Sequence, residues 1–193
     1  MSGAETGRRE EIEIKLPEAE LSRVRDRIAA AGGRLRAARH DESNDLYDDP
    51  ERKLSGSGRT VRLRRAAGRA VLTYKGASRF ENGARVREER EVEVSDAAEA
   101  DAILAGLGLR KTFRYEKRRE EWETEGCVVA LDETPIGDFV EIEGDPAAIR
   151  RTVSALALDA SEAVPYSYVE LYLRRRKEDP SLPADMVFVP EER

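Results

Sequence analysis

Glu11, Glu13 and Lys15 stand at alternate positions of the stretch EEIEIKLP (residues 10–17), with Ile12, Ile14 and Leu16 between them. Side chains two apart share a face of a strand. One face therefore carries two carboxylates and an ammonium, and the other is aliphatic. The alternation recurs along the chain. TVRLRR (60–65) sets Arg62 and Arg64 opposite Val61 and Leu63, and VLTYKG (71–76) sets Thr73 and Lys75 opposite Leu72 and Tyr74. RVREEREVEV (85–94) aligns Arg85, Arg87, Glu89, Glu91 and Glu93 against Val86, Val92 and Val94. Lys117 and Arg119 share a phase in RYEKRREEW, Asp132 falls in phase with Val128 and Ala130, and Glu141 and Glu143 oppose Val140 and Ile142. Cations of this kind suit phosphate oxygens, and clustered carboxylates suit a divalent ion that bridges those oxygens.

Any one of these strands could simply show a charged face to water. Together they point elsewhere, because every aliphatic face needs cover and amphipathic helices are available to supply it. With helices outside a curved sheet, the charged faces line its inside. A closed sheet of about eight strands has room there for side chains or one small ligand. Lys15, Arg62, Arg64, Lys75, Arg87, Lys117 and Arg119 would then face Glu11, Glu13, Glu89, Glu91, Asp132, Glu141 and Glu143. Mutual pairing offsets part of the cost of burying them. Water, a metal and a polyanion would offset the rest. The residues read as a metal-assisted polyphosphate site, provided that the barrel closes.

The elements that must position this site are legible as a single α+β domain over residues 9–177, with eight mostly antiparallel strands in a closed barrel and helices on its outside. Strands are expected near 10–16, 44–48, 59–65, 69–75, 84–94, 110–123, 126–132 and 138–143. Pro17 is expected to open a helix with Leu21, Val24 and Ile28 on one face, closed by Gly32-Gly33. A second helix starts at Ser95-Asp96, with Glu99 at capping-box spacing, and is expected to bury Ile103, Leu104 and Leu107. A third starts at Asp145-Pro146 over Ile149, Val153 and Leu156. The last starts at Ser167 with Glu170 three residues on, and its Arg174, Arg175 and Arg176 read as a solvated end. Residues 1–8 and 178–193 are expected to be flexible or loosely docked termini, the latter pinned by Met186, Val187, Phe188 and Val189.

Composition narrows the chemistry. The net charge of the 193-residue chain is −6, which disfavours nucleic acid as a partner. Cys127 is the sole cysteine and His40 the sole histidine. An intrachain disulfide and a histidine-rich metal site are therefore excluded, and a cysteine-based zinc site is not expected. A metal must be held by carboxylates, which favours Mg²⁺ or Mn²⁺. No apolar run approaches a membrane span and no signal-peptide core is visible, so a cytoplasmic location without membrane contact is expected. Cys127 reads as a small buried hydrophobe, and Trp122, Phe113 and Tyr115 as packing or tunnel-mouth residues. Tyr166 and Tyr168 could hydrogen-bond into the tunnel or simply close it.

Glu11-Ile12-Glu13-Ile14-Lys15 resembles the ExExK motif of the CYTH superfamily, the triphosphate tunnel metalloenzymes. NDLYDDPERKL, RTVRLRR, LTYKG, REEREVEV, EKRREEW, ALDETPIGDFVEIEG and SYVELY follow in the order of the family's counterparts. The resemblance implies an eight-stranded tunnel, a triphosphate substrate and Mg²⁺ or Mn²⁺. It assigns metal binding mainly to Glu11, Glu13, Glu141 and Glu143, with Asp132 on the metal side or behind it. Triphosphate binding maps onto Lys15, Arg62, Arg64, Lys75, Lys117, Arg119 and Arg87, with Glu89 and Glu91 as supporting carboxylates.

LTYKG, EKRREEW and LDETPIGDFVEIEG look closest to the class IV adenylate cyclase branch, which converts ATP to cyclic AMP and pyrophosphate. The alternative is a hydrolase of inorganic, thiamine or nucleoside triphosphate. A third reading is a polyphosphate- or nucleotide-binding sensor, against which the carboxylate pairs argue, since anion capture needs cations only. The general base could be a tunnel lysine of lowered pKa (Lys75 or Lys117, with Lys15 as a further catalytic candidate), a metal-bound hydroxide or a carboxylate. A homodimer is compatible with all three readings.

Overall fold

The computed structural model describes residues 9–189. The expectations for residues 1–8 and 190–193 lie outside them. Nine strands form: β1 (Arg9–Pro17), β2 (Arg34–Asp48), β3 (Thr60–Ala66), β4 (Arg69–Lys75), β5 (Arg79–Glu81), β6 (Ala84–Val94), β7 (Arg110–Thr124), β8 (Cys127–Thr134) and β9 (Gly137–Glu143). Eight of them follow the order β1-β9-β8-β7-β2-β3-β4-β6, every pair antiparallel, and β6 pairs back onto β1 to close the barrel. The ninth, β5, makes a short hairpin with the start of β6. Strand β1 is the closing stave. Its Glu11 faces Arg87 and its Glu13 faces Arg85 on β6, while Glu13 and Lys15 face Glu143 and Glu141 on β9.

The aliphatic faces point outward, as the alternation requires. Helices α1 (Leu21–Ala30) and α4 (Pro146–Ala155) cover Ile14, Leu16, Val129, Leu131, Val140 and Ile142, and Cys127 is buried in the same cluster. Asp145 caps α4 through the backbone N–H of Ala147, and Asp96 caps α3 (Ala97–Gly106) through those of Ala98 and Glu99. Each such cap stabilises its helix by about 1 kcal/mol. Gly32, at φ +75°, ends α1 in the left-handed region that disfavours any side chain. The remaining helices are the single turn α2 (Lys53–Gly56) and α5 (Tyr168–Glu178).

Several boundaries depart from expectation. Pro17 does not open α1; it ends β1, paired with Phe139. β2 starts at Arg34, ten residues before the strand expected at 44–48. Its first half is largely exposed on both faces and its pairing with β7 slips at bulges, so it shows no alternation for sequence to display. Helix α3 buries Ala100 and Leu104, whereas Ile103 and Leu107 are exposed. Only one side of that helix touches the sheet, and its small residues set the contact.

One end of the barrel is closed by α5 and the chain beyond it. Tyr115, Phe139, Tyr168, Tyr172 and Met186 form a cluster there with Leu46, Phe113 and Ile136. Strand β8 covers β7 only from Arg118 onward, which leaves the earlier part of β7 with a free edge. The C-terminal strap fills it. The Met186 N–H donates to the Arg114 carbonyl (3.0 Å) and the Glu116 N–H to the Met186 carbonyl (2.8 Å). Met186 is fully buried, Phe188 lies under the Arg118 guanidinium at 4.2 Å, and Val189 is exposed. Among the described residues, no helix is long and apolar enough to cross a membrane.

Candidate functional site

The barrel encloses a cavity of about 800 Å³ whose lining is dominated by charged side chains. They fall into three groups set by the strand register. On the wall of β1, β7, β8 and β9, the Lys15 Nζ pairs with Glu141 (3.1 Å) and Lys117 with Asp132 (3.1 Å). Arg119 grips Asp132 through Nε (2.7 Å) and a terminal nitrogen (2.6 Å), and also reaches Glu141. Asp132 is wholly inaccessible, and the Tyr168 hydroxyl donates to it at 2.7 Å. Both of its oxygens are taken, so Asp132 orients cations. On the β1–β4–β6 wall, Lys75 bridges Glu11 (3.0 Å) and Glu89 (2.7 Å), and Arg87 binds Glu11 (2.7 Å) and Glu13 (3.6 Å). Between the two, Arg62 reaches Glu91 and Thr73 (both 3.2 Å) and the Tyr115 hydroxyl (3.3 Å), and Arg64 lies 3.7 Å from Glu91.

The electrostatics follow from this pairing. Burial works against ionisation of Glu141, yet Lys15, Arg119 and Lys117 hold it well below the usual carboxylate range. Burial likewise opposes ionisation of Glu42, but Lys117, Arg119 and Arg64 take it down to about 2. Glu89 goes the other way. Burial and the hydrogen bond it shares with Glu11 push it up to about 8, against the pull of Lys75, so this carboxyl is protonated at neutral pH. Lys117 is raised despite burial and the nearby Arg119, because Asp132, Glu42 and Glu141 surround it. It is therefore a fixed cation, and the expected lysine of lowered pKa is not found at that position.

The carboxylates also bear on a metal. Burial and the negative charges of Glu11 and Glu13 push Glu143 upward. Among the described residues it has no ion pair or side-chain hydrogen bond. No three acidic side chains among the described residues converge into a ready-made cage. Hard divalent ions such as Mg²⁺ are commonly held by one or two carboxylates together with substrate phosphates and water, not by an all-protein cage. Glu13 and Glu143 sit directly opposite each other in the sheet, with Glu11 next along β1. Glu143, pushed up by the charges of Glu11 and Glu13, and Glu13 opposite it are the carboxylates placed to hold a divalent cation.

Thirteen of the fourteen residues singled out from the alternation line the cavity, and Asp132 lies behind Lys117 and Arg119. Three contributors were not singled out from the sequence. Arg85 lies in phase with Arg87 and packs 4.0 Å from Glu13, so its phase was a usable signal. Glu42 lies 3.6 Å from Lys117 on β2, two residues ahead of the strand expected at 44–48. Tyr115 carries its hydroxyl into the tunnel from what reads as a packing or tunnel-mouth position, and Tyr168, which could reach into the tunnel or close it, reaches Asp132. His40 sits beside Glu42, 3.6 Å away, and does not line the cavity.

Comparison with known proteins gives this geometry a context. A protein of Methanocaldococcus jannaschii provisionally named as an adenylate cyclase is 24% identical over 173 residues, covering 83% of this chain and 97% of that protein. A Pyrococcus horikoshii protein of known structure is 25% identical with a TM-score of 0.72, covering 86% of this chain and 99% of its own. A Hippeastrum protein, described as an adenylyl cyclase candidate with a dominant triphosphatase activity, shares the fold at 18% identity and a TM-score of 0.64, over 91% of this chain and 98% of that one. The family model for the CYTH domain matches residues 9–152, three-quarters of the chain, and the protein belongs to the CYTH domain family.

Proposed function

We propose that this protein is a metal-dependent enzyme acting on a triphosphate held in the tunnel, with conversion of ATP to cyclic AMP and pyrophosphate as the first reading. The observation that carries it is the arrangement of Lys15, Lys117 and Arg119 on one wall and Lys75 and Arg87 on the other, with Arg62 between them and Glu143 pushed up by its acidic neighbours. A triphosphate exchanges its oxygens for the carboxylates that now occupy those cations. Glu11, Glu13 and Glu143 would hold Mg²⁺ or Mn²⁺, with Glu141 at the edge of the set. When bound, the ion neutralises charge on the phosphate oxygens. The six cations grip the chain of phosphates, orient it along the barrel and stabilise charge as it develops. Asp132 fixes Lys117 and Arg119, and Glu91 and Thr73 fix Arg62.

The name of the Methanocaldococcus relative supports the cyclase reading. Hydrolysis of a triphosphate is the second reading. It is favoured by the site itself, where every assigned contact grips phosphate and none reads a base, and it matches the activity described for the Hippeastrum protein. The test is incubation with ATP, inorganic triphosphate and thiamine triphosphate, each with Mg²⁺ and with Mn²⁺, and chromatography of the products. Cyclic AMP with pyrophosphate is the expected result. Orthophosphate without cyclic AMP overturns the cyclase in favour of the hydrolase, and no turnover of any of the three overturns both.

A further inference from the structure

Tyr168 comes from α5, beyond residues 9–152 that the family model matches, yet its side chain is buried inside the tunnel. It serves the two sides of one cation group differently. The Lys15 Nζ stands over its ring, 3.8 Å from the centroid, and its hydroxyl donates to Asp132 at 2.7 Å. Around it, Glu42, Asp132 and Glu141 compete for Lys15, Lys117 and Arg119. The Lys15 ammonium is shared between Glu141 at 3.1 Å, the Tyr166 carbonyl at 3.2 Å and the ring. A π face binds an ammonium without neutralising it, and a neutral hydroxyl satisfies a carboxylate without adding a cation.

The placement of α5 is equally specific. Ser167 and Glu170 form a reciprocal capping box, and Glu170 also pairs with Arg85 at 3.3 Å. Arg85 donates to the Pro165 carbonyl (2.8 Å) and Lys15 to the Tyr166 carbonyl (3.2 Å), so the entry to α5 is tied to the tunnel wall at two points. At the other side Tyr172 donates to carbonyls of the strap.

We propose that Tyr168 is a positioning residue that holds Lys15 with its ring and Asp132 with its hydroxyl, keeping the Lys15–Lys117–Arg119 wall open to receive phosphate. This rests on the triphosphate-binding reading above. The test compares Tyr168→Phe, Tyr168→Leu and, as a control on the anchoring of α5, Tyr172→Phe, with inorganic triphosphate and Mg²⁺ as the probe in calorimetry. Loss of the hydroxyl is expected to weaken the dissociation constant about fivefold, and loss of the ring as well about 25-fold. Tyr172→Phe is expected to leave it unchanged. The proposal is overturned if Tyr168→Phe binds like the wild type, or if Tyr172→Phe weakens binding as much. A ligand-free measurement separates this from failure of the triphosphate reading. Lys15 ε-methylene protons should resonate upfield under the ring current in the wild type and in Tyr168→Phe, and return to ordinary positions in Tyr168→Leu. If the wild type binds no triphosphate, the functional reading fails. The positioning role then stands or falls on that resonance, and an unmoved Lys15 signal in Tyr168→Leu overturns it.

Discussion

Asp132→Asn separates stability from ligand binding at the most buried charge in the tunnel. Asp132 is inaccessible to solvent and accepts from Arg119 at 2.7 and 2.6 Å, from Lys117 at 3.1 Å and from Tyr168 at 2.7 Å. Removing one partner of a buried ion pair costs about 3–5 kcal/mol, because the other charge remains desolvated and unpaired. Here the lower end applies. Asparagine keeps an acceptor oxygen, and Glu141 and Glu42 still compensate Arg119 and Lys117. A loss of about 3 kcal/mol corresponds to a fall in Tm of roughly 6–12 °C for a chain of this size. The second half of the prediction has the opposite sign. With less carboxylate charge to displace, added inorganic triphosphate should raise the variant's Tm by more degrees than the wild type's. Calorimetry with and without ligand reads both numbers. A variant as stable as the wild type, or one whose ligand-induced rise is the smaller of the two, refutes the reasoning.

Glu143→Gln should stabilise the ligand-free protein at neutral pH, since it removes a charge repelled by Glu11 and Glu13, while turnover is lost. Mn²⁺ should raise the Tm of the wild type and not of this variant, and an equal rise in both would remove Glu143 from the metal set. Glu42, held down to about 2, contributes stability that is complete above about pH 4.5 and lost as the pH falls toward about 2. Glu42→Gln should therefore be less stable than the wild type at pH 6, with the gap narrowing across that acid range in pH-dependent melts. Glu89, pushed up to about 8, has the reverse sign, and its contribution is lost as the pH rises through about 8. Glu89→Gln should gain on the wild type in stability as the pH rises from about 4.5 to about 8, and parallel pH curves would contradict the assignment.

Strand alternation carried most of the site because a closed barrel turns period two directly into inside and outside. Arg62 and Arg64, Lys117 and Arg119, and Glu141 and Glu143 could be paired by phase without knowing which strands are neighbours. What the alternation could not carry was anything set by contacts between distant segments. The first half of β2 is exposed on both faces, so the strand was read only from residue 44, and Glu42, two residues earlier, fell outside it. Whether an apolar helical position is covered depends on how the helix lies, which is why Leu104 of α3 is buried and Ile103 and Leu107 are not. Tyr168 could equally reach into the tunnel or close it, and only the course of the chain past Pro165 brings it to Asp132. The close approach of Glu11 and Glu89, and the proton it retains on Glu89, depends on β1 meeting β6.

The closing role of β1 has a consequence for assembly. Glu13 on this N-terminal strand is opposed by Arg85 on one side and Glu143 on the other, so β1 cannot be seated until the chain as far as β9 is available. Contacts of such long sequence separation form slowly, because loop-closure entropy must be lost before they repay it. A chain made from its N-terminus must therefore carry β1 without its β9 neighbour until residues 137–143 have been synthesised, although β6 is available earlier. The charges that make β1 useful also make it a poor partner for other strands during that wait. Glu11, Glu13 and Lys15 thus guard the strand before closure and furnish the lumen after it.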